Sequence, residues 1–400
     1  MTTSTLTSLL LLTLVATLAP LLVDAFRSVV LVPVVVAEIA FGVVLGPDVL
    51  GWVSEDSLVT LLANLGLAML MFFAGYEIDF ARMRGGSAGL ALQVWALSLV
   101  IGLGIGASLH LAGLPGSGLV IGLALTTTAL GALVPILKDT GDLRTPFGGH
   151  VLATGAVGEF GPIIAISLLL STRAPGWTAV LLLAFAAVAA LAVGMARRPR
   201  PPRLNRVVAM TLRTSAQLAV RFTLLVVVAL VWLAAEFGLD VLLGAFTAGV
   251  VMRLFMSGGD REEAALVTDK LEAVGFGFLI PMFFVVSGVR FDLSGLLASP
   301  FALALLPVLL ALFLVTRGLP VMIVYRSALN RADRVALALF ASTALPLVVV
   351  IVSIGVQTGR LRDDLGAALV GAAMLSLVVL PLLALRTRRG SRSAGVPAPG

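Results

Sequence analysis

The 400 residues are 60% hydrophobic and 12% charged, with a mean hydropathy of +1.12, values that exclude a soluble globular domain and define an integral membrane protein. The formal net charge of +6 requires no nucleic-acid partner, because the basic residues gather in loops that meet lipid headgroups. With no cysteine, disulfides and thiolate metal sites are excluded as well.

Thirteen apolar runs long enough to span as helices follow one another, at residues 4–23, 29–46, 57–76, 88–112, 117–137, 148–171, 176–196, 214–237, 239–256, 271–289, 299–325, 335–357 and 365–385. The fold class expected is therefore an all-α membrane protein of about thirteen transmembrane helices. The first run has no basic residue before it, so it reads as a retained helix and not as a signal peptide. Basic residues crowd the loops after the odd-numbered runs: Arg27; Arg82 and Arg84; Lys138 and Arg144; the cluster at 197–206; Arg253 and Arg261; Arg326, Arg331 and Arg334. Positive charge stays inside, which predicts a multi-pass protein of the inner (plasma) membrane with its amino terminus outside and its carboxyl terminus cytoplasmic. Residues 1–385 form one transmembrane domain in this reading, and the basic stretch 386–400, rich in Gly, Pro and Ser, a disordered cytoplasmic tail.

The run at 148–171 carries the most telling residue, Glu159, a carboxylate near its centre with no basic neighbour between residues 154 and 171. Such a charge is costly in lipid unless it faces a partner or a wet cavity, so it reads as an ion or proton site. The run at 299–325 holds a cation at similar depth, Arg317. Burial penalises an ionised carboxylate and a nearby guanidinium favours it, a balance that lets a proton and a cation displace each other at Glu159. Two further intramembrane polar groups are secondary candidates. Glu38 either lines the ion path or makes a structural hydrogen bond, and Asn64 either contacts the site or bonds to a neighbouring helix.

An internal repeat places these charges. Leu123-Ala-Leu-Thr-Thr-Thr-Ala-Leu130 resembles Leu337-Ala-Leu-Phe-Ala-Ser-Thr-Ala-Leu345, and each is followed by chain breakers, Gly131 and Pro135 in one and Pro346 in the other. The two runs point in opposite directions, so the repeat is inverted. Interrupted helices at matching places of inverted repeats mark a transporter's binding site, although small and hydroxylated residues also serve close helix packing. Thr126, Thr127 and Thr128 lie in the first segment of the repeat; Ser342 and Thr343, further secondary candidates, lie in the second.

At Glu38-Ile-Ala-Phe-Gly-Val-Val-Leu-Gly-Pro47, Phe72-Phe-Ala-Gly-Tyr-Glu-Ile-Asp79, Leu243-Gly-Ala-Phe-Thr-Ala-Gly249 and Pro281-Met-Phe-Phe-Val-Val-Ser-Gly288 the chain resembles the Kef-type and NapA-type monovalent cation:proton antiporters, from about residue 27 to 385. The resemblance implies an NhaA/NapA-like antiporter fold in which two broken helices cross, and a homodimer. It makes Glu159 the ion-binding carboxylate, Thr126, Thr127 and Thr128 part of the first break, and Arg317 the basic residue of the core. The partners it implies are H+ and a monovalent cation, Na+ or K+. The chain departs from the family in carrying Gly158-Glu159 where electrogenic members show two adjacent aspartates and others Asn-Asp or Gln-Asp. One carboxylate favours one-for-one exchange. No cofactor is expected, nor any metal beyond the transported cation. His110 and His150 form no cluster, and no catalytic constellation for an intramembrane enzyme is visible. An ion channel and a sodium-coupled organic-solute symporter remain alternatives of similar architecture.

Overall fold

The computed structural model describes residues 3–26, 33–54, 56–77, 87–111, 113, 117–169, 175–196, 217–257 and 261–394. Among them there is no strand. The helices are α1 (Thr3–Phe26), α2 (Val34–Leu45), α3 (Ser57–Tyr76), α4 (Ser87–Leu111), α5 (Ser117–Ala124), α6 (Leu130–Asp139), α7 (Pro146–Leu169), α8 (Pro175–Ala196), α9 (Leu218–Glu236) and α10 (Val241–Ser257). They continue with α11 (Arg261–Val274), α12 (Ile280–Val289), α13 (Leu293–Ala298), α14 (Pro300–Phe313), α15 (Leu319–Val324), α16 (Arg331–Ala341), α17 (Pro346–Gln357) and α18 (Asp363–Ala394). Over the described residues each of the thirteen predicted runs coincides with helix, the runs at 117–137 and 335–357 with an interruption. Nine spans among the described residues are long and apolar enough to cross a membrane, beside shorter apolar helices at Val34–Leu45, Val180–Gly194 and Val241–Met256. The basic loop at 197–206 lies outside the described residues. Helix α18 runs on through residues 386–394 of the expected tail, and 395–400 lie outside the described residues.

Two compact units divide the chain. The first comprises Met1–Ala16, Val53–Ile78 and Ile163–Val286. Its α3 starts at Asp56, whose carboxylate accepts from the amides of Leu58 and Val59 and satisfies two of the donors a helix start leaves over. A hydrogen bond from Thr5, together with those amides, holds the Asp56 carboxyl below its ordinary range, so the cap is intact at neutral pH and is lost only in acid. Helices α3 and α10 approach backbone to backbone: a Cβ at Gly75 would run into Phe246 O, and one at Gly249 into Phe72 O. Two of the four strings that carry the resemblance thus meet face to face, and small residues are what lets them.

The second unit comprises Thr17–Trp52, Asp79–Pro162 and Ser287–Gly400. Here Gly288, the last residue of another of those strings, packs on α2, where a Cβ at Gly288 would strike Ile39 O. Gly102 and Gly106 of α4 face Gly122 and Gly118 of α5 in the same way. Helix α16 opens on Asn330, which accepts from Asp333 N at 2.9 Å, and α17 opens on Pro346, whose missing N–H costs nothing at that position. Near the start of α16, Arg388 of α18 is ion-paired with Asp142, which follows α6, and with Asp333 at 2.8 Å, its guanidinium 3.7 Å from the Phe147 ring centroid. Removing this cation leaves a buried acid behind. Arg388→Ala is expected to cost about 3 kcal/mol of stability. In double-mutant cycles read by thermal melting, the coupling to the more deeply buried Asp142 should exceed that to Asp333.

Candidate functional site

Both interrupted helices are broken in the second unit, at matching positions. Helix α5 ends at Ala124 and α6 begins at Leu130; α16 ends at Ala341 and α17 begins at Pro346. The first break falls at the threonines of the repeat, and Gly131 and Pro135, which follow it, sit inside α6. Its cause is the hydroxyl triplet. Thr126 Oγ1 donates to Leu123 O at 2.7 Å and Thr127 Oγ1 to Ala124 O at 2.8 Å, closing the end of α5. The second break repeats the device, with Ser342 Oγ donating to Ala338 O at 2.8 Å and Thr343 Oγ1 to Leu339 O at 3.2 Å. A hydroxyl has one proton, so each of these four groups keeps only an acceptor oxygen to offer a ligand. Acceptors alone suit a cation.

The two breaks cross in direct contact. Thr128 Oγ1 donates to Ala341 O at 2.6 Å, and Ala129 N to Thr343 O at 2.8 Å. Thr128 N donates to Gly158 O at 3.0 Å, which brings α7 and the residue next to Glu159 against the first break. Glu159 itself is 1% exposed.

Arg317 stands at this crossing, 0% exposed, in a π-turn over Leu314–Gly318 between α14 and α15. Its Nε donates to Thr128 Oγ1 at 3.0 Å and to Ala341 O at 3.4 Å, one group from each broken helix. Nη1 reaches Ser98 Oγ on α4 at 3.2 Å and Nη2 reaches Thr154 O on α7 at 3.3 Å. Among the described residues these partners are all hydroxyls and main-chain carbonyls, and none is a carboxylate. Hydrogen bonds to a charged donor are worth about 1.5–3 kcal/mol each, enough together to offset much of the cost of burying the guanidinium.

Gly158 has a steric reason. A side chain there would meet Arg317 Nη2 and, at 2.6 Å, Thr128 Oγ1, so the guanidinium takes the space a second acid or amide would need. Glu38 is buried on α2 of this unit, whereas Asn64 is exposed on α3 of the other. Four contributors were not foreseen from the sequence: Ser98, Thr154, Tyr325 and Ser376. Tyr325 is buried with its hydroxyl 3.0 Å from Thr154 Oγ1, and Ser376 bonds to Ala344 in the second break. Their one signal was a lone polar group in an apolar run, with Thr154 and Gly158 four apart on one face of a helix. Gly158→Ala is expected to displace Arg317 at a cost of about 1–3 kcal/mol. Gly149→Ala on the same helix, where an added Cβ meets nothing within 4 Å, should leave the melting temperature unchanged.

Residues 11–385 match the sodium/hydrogen exchanger transmembrane family. The putative Na+/H+ antiporter YjbQ of Bacillus subtilis is 29% identical over 398 residues, which cover 94% of this chain and 62% of that protein. The Na+/H+-K+ antiporter GerN of Bacillus cereus is 24% identical over 360 residues, covering 87% and 88%. Cation/H+ antiporter 19 of Arabidopsis thaliana is 27% identical over 389 residues, covering 88% of this chain and 46% of its own length. The chain thus spans less than two thirds of the Bacillus subtilis and Arabidopsis relatives. The solved structure of the sodium proton antiporter MjNhaP1 from Methanocaldococcus jannaschii at pH 8 superposes with a TM-score of 0.69 at 14% identity, over 98% of this chain and 99% of that one, and shares its fold. By sequence over nearly its whole length, the chain belongs to the sodium/hydrogen exchanger transmembrane family.

Proposed function

We propose that the protein is a secondary antiporter that exchanges a monovalent cation, Na+ or K+, for protons by alternating access. The observation that carries this reading is a buried carboxylate, Glu159, in direct sequence with the residue that meets the crossing of two broken helices. Glu159 holds a proton and a cation in turn. Thr126, Thr127 and Thr128 supply oxygen near it, with Ser342 and Thr343 in the matching break and Glu38 as a secondary polar group. Arg317 acts by shaping the crossing and by raising the local positive potential, since its hydrogen bonds go to neutral acceptors. Membership of an exchanger family and relatives named as antiporters favour exchange over the channel and symporter alternatives.

The protein works in the plasma membrane as a homodimer, amino terminus outside and carboxyl terminus cytoplasmic. The distribution of basic residues supports the orientation, and resemblance supports the dimer. With Gly at 158, a single carboxylate at this position carries the exchange one for one, so the rate is insensitive to an imposed membrane potential.

Glu159→Gln keeps the side chain's shape and removes its charge. In proteoliposomes with a proton-sensitive dye, it is expected to abolish proton movement driven by Na+ or K+ while the protein still elutes as a single folded species. Near-normal exchange by that variant would take Glu159 out of the mechanism. Competition gives a second, quantitative expectation: on the acid side of the Glu159 titration, the apparent cation affinity of the wild type should weaken about tenfold per pH unit, because each bound proton excludes one cation. A flat dependence there would mean separate sites.

A further inference from the structure

The second break is held from two sides. Upstream, Ala341 O accepts from Thr128 and Arg317, and Thr343 O accepts from Ala129 N, so that half belongs to the crossing. Downstream, Ala344 depends on one side chain of α18. Ser376 Oγ accepts from Ala344 N at 3.0 Å and lies 3.0 Å from Ala344 O and 2.7 Å from Ala373 O. Ser376 is 0% exposed.

A hydroxyl carries one proton and two acceptor lone pairs. It can therefore receive the Ala344 amide at all times, but it can donate fully to only one of the two carbonyls at once. Ala373 O lies in the preceding turn of the same helix and is the nearer. When the proton goes there, the Ala344 carbonyl is released while its amide stays bound. Main-chain carbonyls freed at helix interruptions are the kind of oxygen that coordinates a small cation inside a membrane.

We propose that Ser376 is a positioning residue for the exchange. It fixes the Ala344 main chain and, by turning its one proton between Ala344 and Ala373, frees the Ala344 carbonyl for a bound monovalent cation without leaving the amide unpaired. The inference rests on the antiport reading above and assigns a further oxygen to the same site from the second break.

Dye-monitored exchange in proteoliposomes, titrated with NaCl and separately with KCl, tests it. Ser376→Ala removes donor and acceptor together and is expected to raise the cation concentration for half-maximal exchange by about three- to tenfold, the worth of roughly one buried hydrogen bond, with a smaller change in maximal rate. Ser376→Cys keeps the volume and weakens the bonds, so the same shift in smaller measure is expected; it decides the matter alone if the alanine variant does not fold. Wild-type half-saturation in folded variants overturns the proposal, and so does a loss of maximal rate at unchanged half-saturation. A wild type that moves no protons with either salt fails at the antiport reading itself, before Ser376 is in question.

Discussion

A guanidinium buried among neutral groups is the constraint around which the second unit is arranged. Arg317 cannot shed its charge, and it is fully buried, so its protons must find acceptors from protein. Ordinary helices have little to give, because each carbonyl already spends one lone pair within the helix. The two breaks expose such groups. Thr128 and Ala341 contribute one acceptor from each interrupted helix, and Ser98 and Thr154 complete the set. Breaking the helices and burying the arginine are thus each costly alone, and each supplies what the other lacks.

The same logic explains why the arginine lies in a π-turn. One extra residue in the turn shifts the register of the side chains that follow it, and a long side chain can then leave the helix at an angle a regular α-helix does not provide. Gly158 opposite is the complementary concession: the space of a missing Cβ is where Nη2 lies. Local sequence, helix irregularity and charge burial are linked here through one side chain.

Much of this was legible without coordinates. Hydropathy located thirteen helical segments, because lipid leaves the backbone no other way to satisfy its polar groups. The repeat around Thr126, Thr127 and Thr128 and around Ser342 and Thr343 marked both breaks, since hydroxyls bond back to the last carbonyls of a helix. Gly131 and Pro135 follow the first one and lie inside α6, so neither of them stops the chain. Ser98, Tyr325 and Ser376 were illegible for a different reason. A single hydroxyl in an apolar run looks the same whether it serves its own helix or a distant one. Which of these it does depends on packing between helices remote in sequence. The π-turn over Leu314–Gly318 carried no sequence signal beyond its one glycine.

The direction of the hydroxyl bonds at the breaks limits how a proton can travel. Thr126, Thr127, Ser342 and Thr343 each point their hydrogen back into a helix end, so passing a proton from one to the next would require those ends to let go. A relay built from them would have to fray both half-helices with every proton it passed. In the proposed exchange, acidity therefore moves with its carrier, as cargo aboard one carboxyl group, and the hydroxyls around it are the walls of the compartment and not the rungs of a wire.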